Sequence, residues 1–592
     1  MGNSPSPGRV VRLSFVIVLF ALIVYNAPYV ATTIVLKSRA IPYSLAPDLS
    51  LYLNLSRMGA SHVNPYFGTI APSGELGYTT FDTAFRMLGF LAKIAGNDLW
   101  WAVLLWNLFW WAALGVGAIW FVRRALQGAT ELLLCVAMSL ILFFNFGVLR
   151  ALASAWLHLP SLTGFAELSL PFIRVVFPQV PLALLFFYLA LQTRALDSWR
   201  WREWTGMFFL QAIAFAMFPY ATLIMAGTTA VTALAVLAEK RTPKRLWTLA
   251  GYGAACGIAD IAFLRLRLSG GAQHSKLSLI SIHPARALES AGGALLLLVV
   301  LTIATAAISR PAGSRIGRWT VAGLGIANIL LMLGDSVFSP ALLVSHHGGY
   351  FIHTTISLEV TYLVAAGFDR FPRKSMWLRS ACLATIALAI ATGLLLAFSD
   401  YRHSFPENRG NAELASAMRS LNLTKEDLVI ARAESVDDSC AWVPLFTDAT
   451  TLFCRSAQYE LSAEQKRTVY RMRQAFYLYF RGHTSIAVDR VASGSTDLVE
   501  QDKLAFAGEV NPADKERWDE AKASIRTDLV PVLADIEHRR PKVQDFLSPY
   551  RRVLVIDDVR KPAFERKSLS QYLAVDSESR FGDLVLLWCK PL

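Results

Sequence analysis

Pro47-Asp48-Leu49-Ser50-Leu51-Tyr52 and His62-Val63-Asn64-Pro65-Tyr66-Phe67 decide how this chain is read, because both follow directly on the apolar segment Val11 to Val35. An apolar run of that length is enough to cross a bilayer. It is too long for a signal-peptide core and has no convincing small-x-small cleavage site, so it is expected to stay as an anchor. Asp48 then falls just past the bilayer edge. A carboxylate there stays ionised and meets molecules arriving from lipid or from water.

The composition agrees with a membrane setting. The chain has 592 residues, of which 54% are hydrophobic and 17% charged, with a mean hydropathy of +0.41. Ordinary soluble domains carry roughly 25% charge. Apolar stretches near 12–36, 98–122, 130–149, 172–193, 204–218, 220–238, 246–266, 285–308, 319–340, 350–367 and 377–398 read as membrane spans. The expectation is a polytopic α-helical membrane protein of about eleven spans. Around Pro219, two short helices and one long kinked helix both fit.

The net charge of +13 gathers in short loops: Arg123-Arg124, Arg194 to Arg202, Lys240 to Arg245, Arg310 to Arg318 and Arg370 to Arg379. With a cytoplasmic N-terminus all of these fall on the cytoplasmic side, as the positive-inside rule requires. The loops at 37–97, 150–171, 267–284 and 341–349 then face outward, as does everything after residue 399. The positive charge therefore sets topology and touches anionic lipid, and nucleic acid is not an expected partner. Met1-Gly2 with Ser6 matches only a loose myristoylation pattern, with Pro5 inside it.

Phe81-Asp82-Thr83-Ala84-Phe85-Arg86-Met87-Leu88-Gly89-Phe90-Leu91 reads as an amphipathic helix along the outer interface, with Phe81, Phe85, Leu88 and Leu91 toward lipid. Trp100, Trp101, Trp106, Trp110 and Trp111 crowd the next span, where aromatics commonly anchor at headgroups.

From about residue 400 the composition becomes that of a soluble domain. Helical patterns at Ala412–Leu421, Ala463–Phe480, Ala513–Ile536 and Ser568–Val575 alternate with strand-like runs at 428–431, 451–453, 553–556 and 584–588. The expected division is a membrane module over 1–399, with the outward loop 37–97, and an extracytoplasmic α/β domain over 400–592, large enough for its own core. Cys135, Cys256 and Cys382 fall inside spans as packing residues. Cys440 and Cys454 flank a hairpin-like stretch and can pair if that region is extracytoplasmic. Cys589 makes the count odd, so the pairing stays open. No metal-ligand spacing such as CxxC appears.

Asp48 can cap the helix Leu49–Met58, act as a general base, or do both. Arg174 can bind phosphate or snorkel to headgroups. His346 and His347 can donate hydrogen bonds or simply be solvated. Tyr52, Asn64 and Tyr66 can line a cleft, or Asn64-Pro65-Tyr66 can be only a turn. Gln179 needs a polar partner inside its span, and Asp260 and Asp335 must face protein or water. Asp557-Asp558 after an apolar strand is a nucleotide ligand only with a Gly-rich loop, which is missing, so a strand-end turn is favoured. The segment Arg467–Phe480 mixes arginines with aromatics. It suits an anionic glycan or packing on the membrane module.

These residues together resemble the GT-C superfamily of multi-span glycosyltransferases that use polyprenyl-phosphate-linked sugars. The resemblance rests on three motifs in order: the outer loop with Asp48, Tyr52 and Asn64-Pro65-Tyr66; Arg174-Val175-Val176-Phe177-Pro178-Gln179; and Ser345-His346-His347-Gly348-Gly349-Tyr350-Phe351. An outward α/β domain after the last span also recurs in that superfamily. The resemblance implies inverting transfer of a sugar to an extracytoplasmic glycan or lipid acceptor at a bacterial inner membrane. Asp48 would be the base. Arg174, His346 and His347 would hold the donor phosphate, with Arg286 a weaker candidate. Tyr52, Asn64, Tyr66, Glu75, Gln179 and Tyr350 would line the cleft. The family's acidic pair is missing from the first loop. Glu75 or Asp82 would have to supply a second carboxylate, which leaves the use of a divalent cation open. No other cofactor is implied. A transporter and a non-catalytic envelope-assembly partner are the competing readings. The first would show repeated halves, which the sequence lacks; the second would leave Asp48 dispensable.

Overall fold

The computed structural model describes residues 7–37, 50, 53–54, 56, 66, 82–127, 130–144, 179–239, 242–268, 284–308, 314–334, 344–368, 376–433, 438–455, 457, 461, 466–492 and 515–592. The chain divides into two compact units. One comprises Met1–Ala31, Val103–Arg265 and Ser278–Ser404; the other comprises Thr32–Ala102, Leu266–Leu277 and Phe405–Leu592. The long first loop thus groups with the C-terminal residues.

Every expected span has a helix: Pro7–Leu36, Leu99–Ala125, Glu131–Phe143, Gln179–Ser198, Trp201–Met217, Pro219–Glu239, Pro243–Leu268, Pro284–Ala307, Arg315–Met332, Val344–Phe368 and Met376–Ser420. Among the described residues, 6 helices are long and apolar enough to cross a membrane. The protein is multi-pass. The chain breaks before Pro219 into two helices, because Pro219 has no N–H to continue the ladder and Phe218 takes a non-helical φ of −158°. At the other end of Trp201–Met217, Trp199 turns the chain at φ +54°. Arg194 Nε pairs with the buried Glu203 at 2.9 Å across that hairpin.

The Trp-rich helix departs from expectation. Trp106, Trp110 and Trp111 are buried, and Trp111 lies on the Tyr25 ring at 3.8 Å. Tyr25 donates its hydroxyl to the Leu142 carbonyl at 2.8 Å. These rings pack helix on helix, with only Trp101 of the cluster exposed. Asp260 sits beside Gln211. Gln211 also accepts from the Tyr252 hydroxyl at 2.9 Å. That bond continues through Tyr188 and Thr229 to Gln192, so these helices share one polar seam.

The helix of the last expected span continues beyond residue 398. Met376–Ser420 is one helix of 45 residues that carries Pro406 within it. Pro406 is exposed, and a missing N–H at a solvated helix face costs less than inside a core.

The C-terminal domain holds a 5-stranded sheet of order β2-β1-β3-β5-β4. Its strands are β1 (Asp427–Ile430), β2 (Thr450–Thr451), β3 (Arg552–Asp558), β4 (Leu573–Phe581) and β5 (Leu584–Pro591). β1 runs parallel to β2 and to β3. β5 is antiparallel to β3 and to β4. The runs at 428–431, 553–556 and 584–588 fall in β1, β3 and β5 as expected, while of the run 451–453 only Thr451 is in a strand. The expected helix Ser568–Val575 did not form. A short helix, Arg566–Ser570, ends there and β4 begins. β4 is an edge strand whose central residues Asp576, Ser577, Glu578, Ser579 and Arg580 are exposed. Its partner β5 supplies the pairing that its own polar sequence does not announce, and the charges protect the edge.

Candidate functional site

The described residues of the first loop lie in the interior of their unit. Ser50, Leu53, Asn54, Ser56 and Tyr66 are all buried. Ser50, Leu53, Asn54 and Ser56 are helical, as the apolar spacing after Asp48 predicts. Asn54 Nδ2 donates to the Ser50 carbonyl at 2.9 Å, one turn back, and to the Ala441 carbonyl at 2.7 Å. At Tyr66 the chain carbonyl accepts twice from one residue, from Thr451 N at 2.8 Å and from Thr451 Oγ1 at 3.0 Å. Both anchors come from the short segment between Cys440 and Cys454. These cysteines form a disulfide with a Cα–Cα distance of 5.5 Å, which closes the pairing left open by the sequence. Cys589 is free and buried, and burial pushes its thiol up to about 11, so it is inert.

Behind that segment stands Arg473. Its Nη1 donates to the Thr451 carbonyl at 2.8 Å and toward the Leu452 carbonyl at 3.4 Å, and its Nη2 donates to the Tyr550 hydroxyl at 2.8 Å. Burial pulls the guanidinium below the usual arginine range, and Tyr550 partly offsets this. The group stays charged and its fork satisfies several acceptors at once. Arg471 is also buried, donating to Gln474 and Ser524. Phe476 stacks on Phe546 at 4.7 Å and meets Tyr572 edge-on at 5.3 Å. The Arg467–Phe480 stretch therefore forms the centre of its own domain. Arg471 and Arg473 hold carbonyls and side chains there, and the aromatics fill the core, so apart from the exposed Arg467 it is not the exposed glycan surface that its composition suggested.

The helix Asp82–Ile94 approaches the first loop at Ser56. Phe85 and Leu88 are buried, while Met87, Phe90 and Ile94 are exposed. Phe85 and Leu88, expected to face lipid, face protein, Leu91 is half-buried, Phe81 lies outside the described residues, and a second apolar stripe faces out. At Gly89 the helix meets the loop: an added Cβ would run into the Ser56 carbonyl oxygen, whose carbon lies 3.1 Å from that position. Only glycine permits so close a backbone approach.

Other expected site residues are placed as follows. Asp48, Tyr52, Asn64, Glu75 and Arg174 lie outside the described residues, as does Asp335. Gln179 opens the helix Gln179–Ser198 and is buried. His346, His347 and Tyr350 are on the helix Val344–Phe368, which starts within the stretch expected as an outer loop. Tyr66 belongs to the unit of the C-terminal domain and Gln179 to the other unit. Asp557 and Asp558 form a strand-end turn: Asp557 accepts from the Ala563 and Asp558 amides at 2.7 and 2.9 Å, and Asp558 accepts from the Arg560 amide at 2.7 Å. Among the described residues no group of three or more His, Cys, Asp or Glu side chains is arranged to hold a metal ion.

Sequence reasoning passed over Glu359. It is fully buried on Val344–Phe368 and accepts from Thr302 Oγ1 at 2.7 Å. Its second oxygen has no hydrogen-bond partner among the described residues. Gly325 on the third helix leaves the space that Glu359 Oε1 and Thr302 occupy. One turn away, Asn328 Nδ2 donates to Thr355 Oγ1 at 3.0 Å. A single acid inside the apolar run Ile356-Ser357-Leu358-Glu359-Val360 was the available signal.

No family model and no curated protein matches this sequence. Among solved structures, the chain is similar to ArnT from Cupriavidus metallidurans. Against the crystal structure of ArnT bound to undecaprenyl phosphate, the identity is 13% and the TM-score 0.43, with 97% of each chain covered. Against apo ArnT the identity is 14% and the TM-score 0.43, with 99% of this chain and 98% of that chain covered. Similarity this low transfers neither residue roles nor substrate.

Proposed function

We propose that this protein is an inverting glycosyltransferase of the GT-C type, moving a sugar from a polyprenyl-phosphate donor to an extracytoplasmic glycan or lipid acceptor at a bacterial inner membrane. The observation that carries the reading is the anchoring of the first loop. The described residues that follow Asp48 are buried, and Asn54 and Tyr66 bond to a disulfide-closed part of the C-terminal domain. A catalytic base needs a fixed position, and a loop that only joined two spans would not need such anchors. A disulfide is also suited to an oxidising, extracytoplasmic compartment.

In this reading Asp48 takes the proton of the acceptor hydroxyl. The oxygen attacks the anomeric carbon from the face opposite the phosphate, and the bond from that carbon to the phosphate oxygen breaks. Polyprenyl phosphate leaves with the electron pair, and the anomeric configuration inverts. Phosphate is a good leaving group at neutral pH, so one carboxylate suffices, unlike the two of a glycoside hydrolase. Arg174 would balance the departing charge, with hydrogen bonds from His346 or His347. Tyr52, Asn64, Tyr66, Glu75, Gln179 and Tyr350 are assigned to the cleft, and a divalent cation is an open part of the proposal.

The test measures release of polyprenyl phosphate by purified protein, given a panel of sugar-loaded carriers and an envelope acceptor fraction. Undecaprenyl phosphate, the ligand of the ArnT complex, is a practical carrier for the panel. Release by the native protein that Asp48→Asn abolishes, with folding intact, is the expected result. Equal release from both proteins would remove Asp48 as the base. No release with any donor would count against a transferase and favour the partner or transporter readings.

A further inference from the structure

We infer that the C-terminal domain is a cradle that positions the first loop, that Asn54 and Arg473 are its positioning residues, and that thiol oxidation of Cys440 and Cys454 completes it. The catalytic half of this inference rests on the transferase reading above.

Three bonds run in series, and a fourth reaches the same segment beside them. Tyr550 accepts from Arg473, Arg473 donates to the Thr451 carbonyl, Thr451 donates to the Tyr66 carbonyl, and Asn54 donates to the Ala441 carbonyl on the same segment. Thr451 lies in β2, and β2 pairs with β1 through Leu428–Thr450 and Val429–Thr451. Ala441 follows Cys440 in a short helix, Ser439–Phe446. The two loop-holding points therefore sit between cysteines only 14 residues apart. Without the cross-link, β2 is a two-residue strand at a sheet edge. So short an edge has little pairing of its own to hold a second segment against it.

Both cysteines are fully buried. Thiol–disulfide exchange requires in-line access to a sulfur, so a folded chain shields this bond from reductant. That makes it a permanent staple set during folding, and a reversible switch would need exposure. The step balances as an exchange: the two cysteine thiols give up two protons and two electrons to an external disulfide, which leaves as two thiols while the Cys440–Cys454 bond forms. A dithiol–disulfide oxidant must therefore act on this chain before the loop is in place.

Hydrogen exchange of the full-length protein in nanodiscs tests the cradle, and the release assay tests its catalytic role. The variants are Asn54→Ala, Arg473→Lys and the pair Cys440→Ser with Cys454→Ser. We expect peptides covering 50–66, and the Thr451 amide, to exchange roughly tenfold faster for each bond lost. Amides of β3 and β5 stay protected and report that the domain is still folded. Asn54→Ala leaves the domain's own core bonds intact, so it decides the matter if the cysteine pair fails to fold. In the release assay the expected result is a lower kcat with an unchanged donor KM, since positioning is lost and donor binding is not. Unchanged exchange over 50–66 in Asn54→Ala and the cysteine pair would overturn the cradle. Faster exchange with undiminished kcat would overturn its catalytic role. Wild-type protein that releases no carrier refutes the transferase reading separately, and the exchange data still decide whether the cradle exists.

Discussion

Asp427→Asn should weaken the sheet that carries the cradle by about 2 kcal/mol at neutral pH. Asp427 is buried and accepts Nε and Nη2 of Arg552 at 2.8 and 2.9 Å, tying β1 to β3. It also accepts the Thr424 amide at 2.8 Å. Burial alone would raise its carboxyl, but the Arg552 bonds outweigh this and hold it below the ordinary carboxylate range. Asparagine keeps one acceptor and turns an NH2 toward a guanidinium donor. One charge-assisted bond is worth about 1.5–3 kcal/mol, and the 37% exposure of the Arg552 side chain lets water recover part of the loss. At about 2–4 °C per kcal/mol, the domain's thermal transition should fall by about 4–8 °C.

The pH dependence gives that expectation a sign. A depressed native carboxylate contributes stability that is fully present above the unfolded value, about 3.9, and is lost as pH falls through the lower folded value. The gap between native and Asp427→Asn protein should hold from about pH 7 to pH 5 and narrow below about pH 4. Thermal unfolding of the full chain in detergent, followed by near-UV circular dichroism, reads both. A missing gap at neutral pH would refute the assignment of Asp427 as an anchor. A gap of constant size into acid would refute the ionic origin of its effect.

Substitutions at three other sites test separate contacts. Gly89→Ala should push Asp82–Ile94 off the Ser56 carbonyl at a cost of about 1–3 kcal/mol, seen as faster protease cleavage within 50–94, whereas Gly96→Ala meets no neighbour within 4 Å and carries only the backbone strain of its φ of +68°, about 1 kcal/mol. Glu359→Gln keeps an acceptor for Thr302 and should leave membrane-unit stability near native, while Glu359→Leu strands that hydroxyl and should cost about 0.6–2 kcal/mol in detergent unfolding. Asp557→Ala removes the acceptor of the Ala563 and Asp558 amides and should lower domain stability by about 1–3 kcal/mol with no change in nucleotide binding by calorimetry; a change in binding would contradict the turn assignment.

The parts of the fold that were legible share one property: their signal is local. Each membrane helix is announced by a long apolar run, and β1, β3 and β5 by apolar stretches with few breaks. The β4 strand was misread because Asp576-Ser577-Glu578-Ser579-Arg580 carries no apolar alternation. Its state depends on pairing with β5. The stripe Phe85–Leu88 was read correctly as apolar, but an apolar stripe does not say whether lipid or protein covers it. Buried Arg471 and Arg473 were misread because an arginine in a helix looks the same in sequence whether its fork meets solvent or a carbonyl.

The candidate site divides in the same way. The helix after Asp48 and a possible bond between Cys440 and Cys454 could be seen in the residues themselves. The anchoring of that helix could not: Asn54 meets Ala441, and Tyr66 meets Thr451, across more than 380 residues of chain. By itself the sequence determined the membrane setting and the positions of the helices and most strands, since these depend on the hydrophobicity and charge of short windows. Only the tertiary structure decided which cysteines pair, which arginines are buried, and what holds the first loop in place, because each of those is a contact between distant segments, and no window of sequence contains both sides.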